Sequence, residues 1–213
     1  MLDHLFTNYT TMFVRNTTKV VLLTAPIANV TLYGGKAVTS WFDIVTNNVS
    51  KEIDFVHAYN ISDMINSSHT VKQVMYEEIN VLKGDSTKLF IGGFSQGCFM
   101  SWYTGLTFDK PLGGIMASSG YLISVPEMEL NGANVNVPLY ISHGKKDATV
   151  LFGVAEQVYQ DRLSPFAHKI TKVYEDNAGH AITETMKVRQ RQWFFDQTQP
   201  KKEQEKLFLP ILF

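Results

Sequence analysis

The sequence lacks the features of several large classes of protein. Its one cysteine, Cys98, has no partner for an internal disulfide and no metal-ligand spacing around it, which excludes a disulfide framework and a zinc site. The basic residues form no block longer than a pair such as Lys201-Lys202, and the formal net charge is -1, so we expect no nucleic-acid surface. No apolar run approaches the roughly 18 residues of a membrane span, and the first residues do not resemble a secretory signal. We therefore expect a cytoplasmic protein.

The chain is long and apolar enough for one domain. Its 213 residues are 45% hydrophobic, which fills a single core. We expect this domain to span residues 1-198, followed by a polar linker and an apolar tail over residues 199-213. No internal repeat divides the chain.

Apolar runs alternate with segments of helical spacing. The predicted strands are 20-26 (VVLLTAP), 88-94, 113-120, 137-144 and 169-176. One predicted helix ends at Gly84, and three others cover residues 96-106, 149-164 and 183-197. The first run is continuous, so we expect a strand buried on both faces. A long irregular stretch, with a turn signal at Gly34-Gly35, follows it. The alternation predicts an α/β protein with a mainly parallel sheet covered by helices on both faces.

The segment GGFSQG places Ser95 between two glycines, directly after one predicted strand and before a helix. A serine on a sharp strand-to-helix turn needs neighbours without side chains, because the chain packs closely there and the hydroxyl must point outward. A bare G-x-S-x-G pattern occurs often by chance, but its position between strand and helix makes Ser95 a candidate nucleophile.

A serine nucleophile needs a histidine to accept its proton and an acid to orient that histidine. In this architecture the order along the chain is serine, acid, histidine. Asp147 and His180 follow two later strands, where open α/β sheets place their sites. Taken singly, each residue has a non-catalytic alternative. Asp147 could be a helix cap, and His180 could be a solvated loop residue. The rival candidates are His143, for which we expect a structural hydrogen bond, and Asp176; two further histidines, His57 and His69, precede the serine.

These motifs resemble a known family. GGFSQG, HGKKD and AGH, together with APIANVTLYGGKAVTSWFDI over residues 25-44, are similar to segments of the acyl-protein thioesterase/phospholipase-carboxylesterase family of α/β hydrolases. The resemblance implies hydrolysis of a thioester or carboxylic ester of an acylated protein or lipid, without a cofactor or metal. It also implies that Ser95 is the nucleophile, with His180 as base and Asp147 as its orienting acid. The backbone N-H of Gln96 would be one oxyanion donor, and Trp41 and Phe42 would line the acyl pocket unless they are ordinary core residues.

The sequence departs from that family at its start. The family has a strand beside the elbow strand, leading into a His-Gly-x-Gly loop that supplies a second oxyanion donor, whereas the nineteen residues before Val20 contain no glycine. We therefore expect an N-terminally shortened domain, in which an unfilled strand position would expose backbone groups. Three explanations stay open: an incomplete sequence, a protein partner that donates a strand, or docking of the apolar tail KLFLPILF (residues 206-213) in a groove.

The departure at the start of the sequence leaves open the position of the tail and the activity of the protein. Pro210 argues against a central strand for the tail, so a disordered tail is an equal alternative. Loss of one oxyanion donor typically costs about 10²-10³ in turnover. The alternative function is therefore a hydrolase-derived pseudoenzyme, a structural or interaction subunit that keeps the triad residues without competent catalysis.

Overall fold

A six-stranded parallel sheet forms the centre of the molecule. The computed structural model describes residue 13 and residues 17-50, 55-123, 132-163, 169-198 and 209-213. The strands within these ranges are β1 (Val21–Leu22), β2 (Ile27–Val30), β3 (Lys36–Thr39), β4 (Leu89–Phe94), β5 (Gly114–Ser118), β6 (Leu139–Gly144), β7 (Ile170–Glu175) and β8 (Leu209–Leu212). The sheet order is β1-β8-β4-β5-β6-β7, with every neighbouring pair parallel. The predicted α/β class with a parallel sheet is therefore confirmed.

Helices cover both faces of this sheet, which explains the continuous apolar runs of its inner strands. The described helices are α1 (Phe55–Ala58), α2 (Ile61–Val81), α3 (Gln96–Leu106), α4 (Phe152–Arg162) and α5 (Glu184–Thr198). In β4, Phe90 packs in a cluster with Trp193 and Phe194 of α5, whereas Leu89 and Ile91 belong to the larger cluster that contains α2, α3 and α4. Among the described helices, none has the length and hydrophobicity needed to cross a membrane.

The strand position beside β4 is filled by the tail of the same chain. β8 pairs in parallel with β4 on one side, from Leu89↔Leu209 to Gly92↔Leu212, and with β1 on the other. Leu209 and Ile211 are fully buried in the larger core cluster and Leu212 in the cluster beneath α5. The tail therefore docks in its own sheet, and the described structure leaves no place there for a strand from a protein partner.

Pro210 lies inside this central strand, so the expectation that Pro210 argues against a central strand was wrong. Phe213 donates its N-H to Gly92 in β4, while the carbonyl of Leu212 accepts from Leu23 at the end of β1. Because successive residues of a strand point their polar groups to opposite sides, the missing N-H of Pro210 faces β1. Pairing with β1 begins only at Ile211, so the ladder loses no bond at Pro210.

The first predicted strand is shorter and more exposed than expected. Of residues 20-26 only Val21 and Leu22 pair, at the edge of the sheet, and Leu22 is 44% exposed. The prediction of a strand buried on both faces was therefore wrong here. Among the described strands, the neighbour of this apolar run is β8 alone. The chain leaves the sheet before Pro26 to enter the next hairpin.

The stretch predicted to be irregular contains an antiparallel hairpin of β2 and β3. At its tip Gly34 and Gly35 have φ of 67° and 78°, a conformation that favours glycine. The carboxylate of Asp43 accepts from the backbone N-H and the hydroxyl of Thr31, at 2.7 and 2.6 Å. The hairpin leads directly into Ser40, Trp41 and Phe42, which reach the candidate site.

Candidate active site

Ser95 lies on a strained turn between β4 and α3. Its φ of 55° and ψ of -120° are sparsely populated for a residue with a side chain. A Cβ at Gly93 would overlap the backbone of Gly97, and a Cβ at Gly97 would lie 2.7 Å from the Cβ of Phe213. Both glycines are thus required by close approach of the chain. This is the local geometry that the G-x-S-x-G pattern predicts.

The structure brings Ser95, His180 and Asp147 together in one hydrogen-bonded chain. The Nε2 of His180 lies 2.9 Å from the Oγ of Ser95, and its Nδ1 lies 2.7 Å from the Oδ2 of Asp147. The three residues follow β4, β7 and β6, at the carboxyl ends of these parallel strands. The side chain of His180 is 20% exposed and that of Asp147 is buried, so solvent reaches the histidine but not the acid.

Asp147 also stabilises the turn in which it lies. Its Oδ1 accepts from the backbone N-H groups of Thr149 and Val150, at 2.9 and 2.8 Å. Burial alone raises the pKa of this carboxyl group, but hydrogen bonds from His143, His180 and Val150 outweigh that effect and hold the pKa well below its usual value. Asp147 is therefore a carboxylate at neutral pH, the form that can accept the N-H of His180.

The rival residues have other partners. His143 is fully buried on β6, where its Nε2 lies 2.9 Å from the carbonyl oxygen of Val150 and 3.3 Å from the Oδ2 of Asp147. Asp176 is 79% exposed at its side chain and pairs with Lys145 at 2.7 Å. The remaining two, His57 and His69, are exposed on helices α1 and α2. Of the histidines that the structure describes, only His180 joins the serine to an acid.

Two features that hold His180 were not predicted. The ring of Phe94, directly before Ser95, lies 4.7 Å from the imidazole ring. A Cβ at Gly144 would overlap the backbone of Ala178 and Gly179, so this glycine lets the loop that carries His180 approach the end of β6. The glycine of the HGKKD motif was the signal for this approach, but its partner loop lies more than thirty residues later in the sequence.

Gln96 is the first residue of α3, where a backbone N-H has no partner within the helix. Its side chain is bound to the segment that follows the hairpin. The Oε1 of Gln96 accepts from the backbone N-H of Trp41 at 2.8 Å, and its Nε2 donates to the Oγ of Ser40 at 2.8 Å and to the carbonyl of Phe42 at 2.9 Å. The candidate oxyanion residue and the candidate acyl-pocket residues are therefore physically joined.

Trp41 and Phe42 have different surroundings. Trp41 is partly exposed and lines a cavity of about 340 Å³, within the range of small-molecule sites. The cavity is lined by Leu23, Thr24, Pro26, Trp41, Ser67, Thr70, Val71 and Val74. Phe42 is 1% exposed, lies outside this lining and packs against Tyr59 and Phe99. The position of Phe42 is thus that of an ordinary core residue.

Cys98, one turn after Ser95, is fully buried, and burial raises the pKa of its thiol well above the usual value. It therefore offers no thiolate as a second nucleophile. The ordered arrangement of Ser95, His180 and Asp147 is the part of the site that can carry out nucleophilic chemistry.

The sequence is similar to one protein family along most of its length. A model of the family described as Phospholipase/Carboxylesterase matches residues 3–202. The Saccharomyces cerevisiae protein named acyl-protein thioesterase 1 is 33% identical over 178 residues, which cover 79% of this chain and 74% of the relative. A protein of the same name from Debaryomyces hansenii is 32% identical over 62% of this chain and 56% of its own length.

Solved structures show the same fold. Arabidopsis thaliana SOBER1 matches with a TM-score of 0.73 and 22% identity over 90% of each chain. Zea mays acyl-protein thioesterase 2 matches with a TM-score of 0.63 and 21% identity, covering 83% of this chain and 80% of the maize chain. The α/β-hydrolase fold expected from the motifs is therefore confirmed, and the family match confirms the resemblance on which that expectation was based. The chain belongs to the phospholipase/carboxylesterase family of α/β hydrolases.

Proposed function

We propose that this hydrolase cleaves a thioester or carboxylic ester with an apolar acyl chain, through an acyl-enzyme on Ser95. The observation that carries the proposal is the position of His180, with one ring nitrogen 2.9 Å from the Oγ of Ser95 and the other 2.7 Å from Asp147. The names of the relatives, which are thioesterases, favour this activity over a non-catalytic structural subunit.

In the proposed mechanism, the Oγ of Ser95 attacks the acyl carbonyl carbon while the Nε2 of His180 accepts the hydroxyl proton. The carboxylate of Asp147 accepts the Nδ1-H of His180, which fixes the tautomer and stabilises the imidazolium that forms. The backbone N-H of Gln96 donates to the developing oxyanion at the start of α3. His180 then protonates the leaving thiol or alcohol. Water, deprotonated by the same nitrogen, releases the free acid and restores Ser95.

We place the acyl chain in the cavity that Trp41 lines. This cavity has apolar walls from Leu23, Val71 and Val74, and Trp41 is bound to Gln96 through its backbone N-H. This hydrogen bond links one wall of the cavity to the residue that would donate to the oxyanion. Phe42 does not line this cavity, and its carbonyl accepts from the side chain of Gln96.

The substrate class proposed here is an acylated protein or a lysophospholipid-like ester, as the family resemblance implies. The cytoplasmic location expected from the sequence stays a prediction. The mechanism uses side chains and one backbone N-H of this chain together with water, and it contains no redox step.

The proposal is tested by the release of free thiol from S-acyl peptide thioesters of increasing acyl length. We expect turnover by the parent and loss of turnover by about 10⁶ in Ser95→Ala, which removes the nucleophile. Equal turnover by the parent and Ser95→Ala would refute the assignment.

A further inference from the structure

The carboxyl end of β8 meets the nucleophile turn from the side. Phe213, directly after β8, donates its N-H to the carbonyl of Gly92 at 3.0 Å. The backbone carbonyl group of Phe213 and its Cβ pack so closely on Gly97 that a Cβ at Gly97 would lie 2.7 to 3.0 Å from them. Phe213 thus contacts the chain on both sides of Ser95, three residues before it and two after it.

The ring of Phe213 contacts Trp41, which lines the proposed acyl pocket. It lies edge-on to the indole of Trp41, with ring centroids 5.4 Å apart and an interplanar angle of 85°. The backbone of Trp41 is held at two points, since its N-H donates to Gln96 and its carbonyl accepts from Ser67. Phe213 is 9% exposed, so its ring is a fixed support against which the indole packs.

The backbone and the side chain of Phe213 contact different parts of the site. Its backbone contacts the turn that carries the nucleophile, and its side chain contacts the tryptophan that lines the cavity. Aromatic pairs in this edge-to-face geometry contribute beyond their buried area, and small displacements of groups that position a substrate have large effects on rate. The side chain of Phe213 can therefore influence how an acyl chain is held without taking part in proton transfer.

We propose that Phe213 is a positioning residue of this hydrolase, which fixes the indole of Trp41 and so sets the preference for acyl-chain length. The proposal rests on the proposed function, in which the acyl chain lies against Trp41. The C-terminal strand is then part of the active site as well as of the sheet.

The test compares Phe213→Ala with Leu212→Ala in the full chain. Leu212 is the adjacent residue of the same strand, fully buried, but it packs beneath α5 on the opposite face of the sheet. The readout is the ratio of kcat/KM for a decanoyl thioester to kcat/KM for an acetyl thioester. This ratio does not change with the fraction of protein that is folded, so a purely structural loss leaves it unaltered.

We expect the ratio to fall about tenfold in Phe213→Ala, which is the upper end of what one aromatic pair contributes. Leu212→Ala is expected to keep the ratio of the parent. Phe213→Tyr retains the ring and is expected to have the ratio of the parent as well. If Phe213→Ala does not fold, Phe213→Leu keeps an apolar side chain and removes the ring. An unchanged ratio in the ring-less variant, or an equal change in Leu212→Ala, would overturn the proposal.

A second measurement does not depend on turnover. Of the three tryptophans, Trp102 and Trp193 are 0% and 6% exposed, so acrylamide quenching of tryptophan emission reports mainly on Trp41. We expect stronger quenching in Phe213→Leu than in Leu212→Ala. If the parent hydrolyses no acyl thioester, the proposed function fails by itself, and the quenching still decides whether Phe213 positions Trp41. Equal quenching in both variants would contradict that role.

Discussion

Strands β4 and β8 are neighbours in the sheet, but they are specified in different ways. β4 ends in a motif that demands a strand before it and a helix after it, so its sequence neighbourhood determines its structure. β8 consists of four apolar residues, one of them Pro210, and nothing adjacent in the sequence assigns it a place. Its position follows from the space between β1 and β4, which is a property of the whole sheet. Local signals thus predict the nucleophile, whereas long-range packing determines what surrounds it.

The same contrast divides the candidate site. Ser95, Asp147 and His180 each follow a strand whose carboxyl end must reach one edge of the sheet. Trp41 and Phe213 meet because a hairpin and a tail approach from opposite ends of the chain. We expect the chemistry to depend on the first group, and the stability of the central sheet to depend on the tail that carries Phe213.

The largest expected effect concerns the two histidines near Asp147. His180→Gln removes the proposed base and should lower kcat by about 10⁶, as in other enzymes that lose a triad histidine. His143→Gln removes a ring that contacts the same carboxylate but not Ser95, so we expect a much smaller loss. Thioester turnover of both purified variants checks this. A comparable loss in the two would show that the order along the chain does not identify the base.

The next effect concerns the acid. Asp147→Asn should lower kcat by roughly 10⁴, because an amide cannot stabilise the imidazolium of His180. Asp176→Asn, at the exposed rival acid, should leave kcat within about twofold, since surface changes of this kind have small effects. Turnover at neutral pH measures both. An active Asp147→Asn variant would remove Asp147 from the proposed mechanism.

The pKa of Asp147 also predicts how its contribution to stability varies with pH. The folded pKa lies below the ordinary value, about 3.9 for an aspartate. The stability that the carboxylate contributes is therefore present above that value and is lost as the pH falls towards the folded pKa. The difference in unfolding free energy between the parent and Asp147→Asn, measured in urea, should be larger at pH 7 than near pH 3. A difference that does not change between these two pH values would contradict the pKa direction.

The smallest expected effect concerns the stability of the central sheet. Ile211→Ala in β8 should lower the free energy of unfolding by about 2-5 kcal/mol, because it leaves a cavity in the core. Leu22→Ala in the edge strand β1 should cost under about 0.5 kcal/mol, because Leu22 is largely exposed. Urea unfolding of the two variants measures this. Equal costs would mean that β8 does not contribute to the stability of the central sheet.

The contrast between β4 and β8 also explains which elements can be predicted from the sequence. The elbow strand and helix, three further strands and the closing helix were predicted because each carries its own periodicity or motif. The hairpin over residues 27-39 was missed, because its strands are short and largely exposed and lack a strong alternation. The central place of Pro210 was missed because it depends on where pairing with β1 begins, and no sequence pattern contains that register.

The roles of individual residues in the site also depend on contacts between distant segments, which the sequence does not contain. Trp41 and Phe42 are adjacent in one motif, yet one lines a cavity and the other packs in the core. Phe213 carried no signal of a role in the site, because its partners, Gly97 and Trp41, lie more than a hundred residues earlier. Strand-end chemistry can be predicted from sequence, and contacts between distant segments require the structure.

The central claim is that Ser95 is an activated nucleophile. The most direct test is to incubate the natively purified full chain with a fluorophosphonate probe and to locate the adduct by mass spectrometry, with Ser95→Ala as control. The account predicts rapid formation of one adduct on Ser95 of the parent and none on the variant. A folded parent that forms no adduct, or an adduct that forms equally in Ser95→Ala, would contradict it.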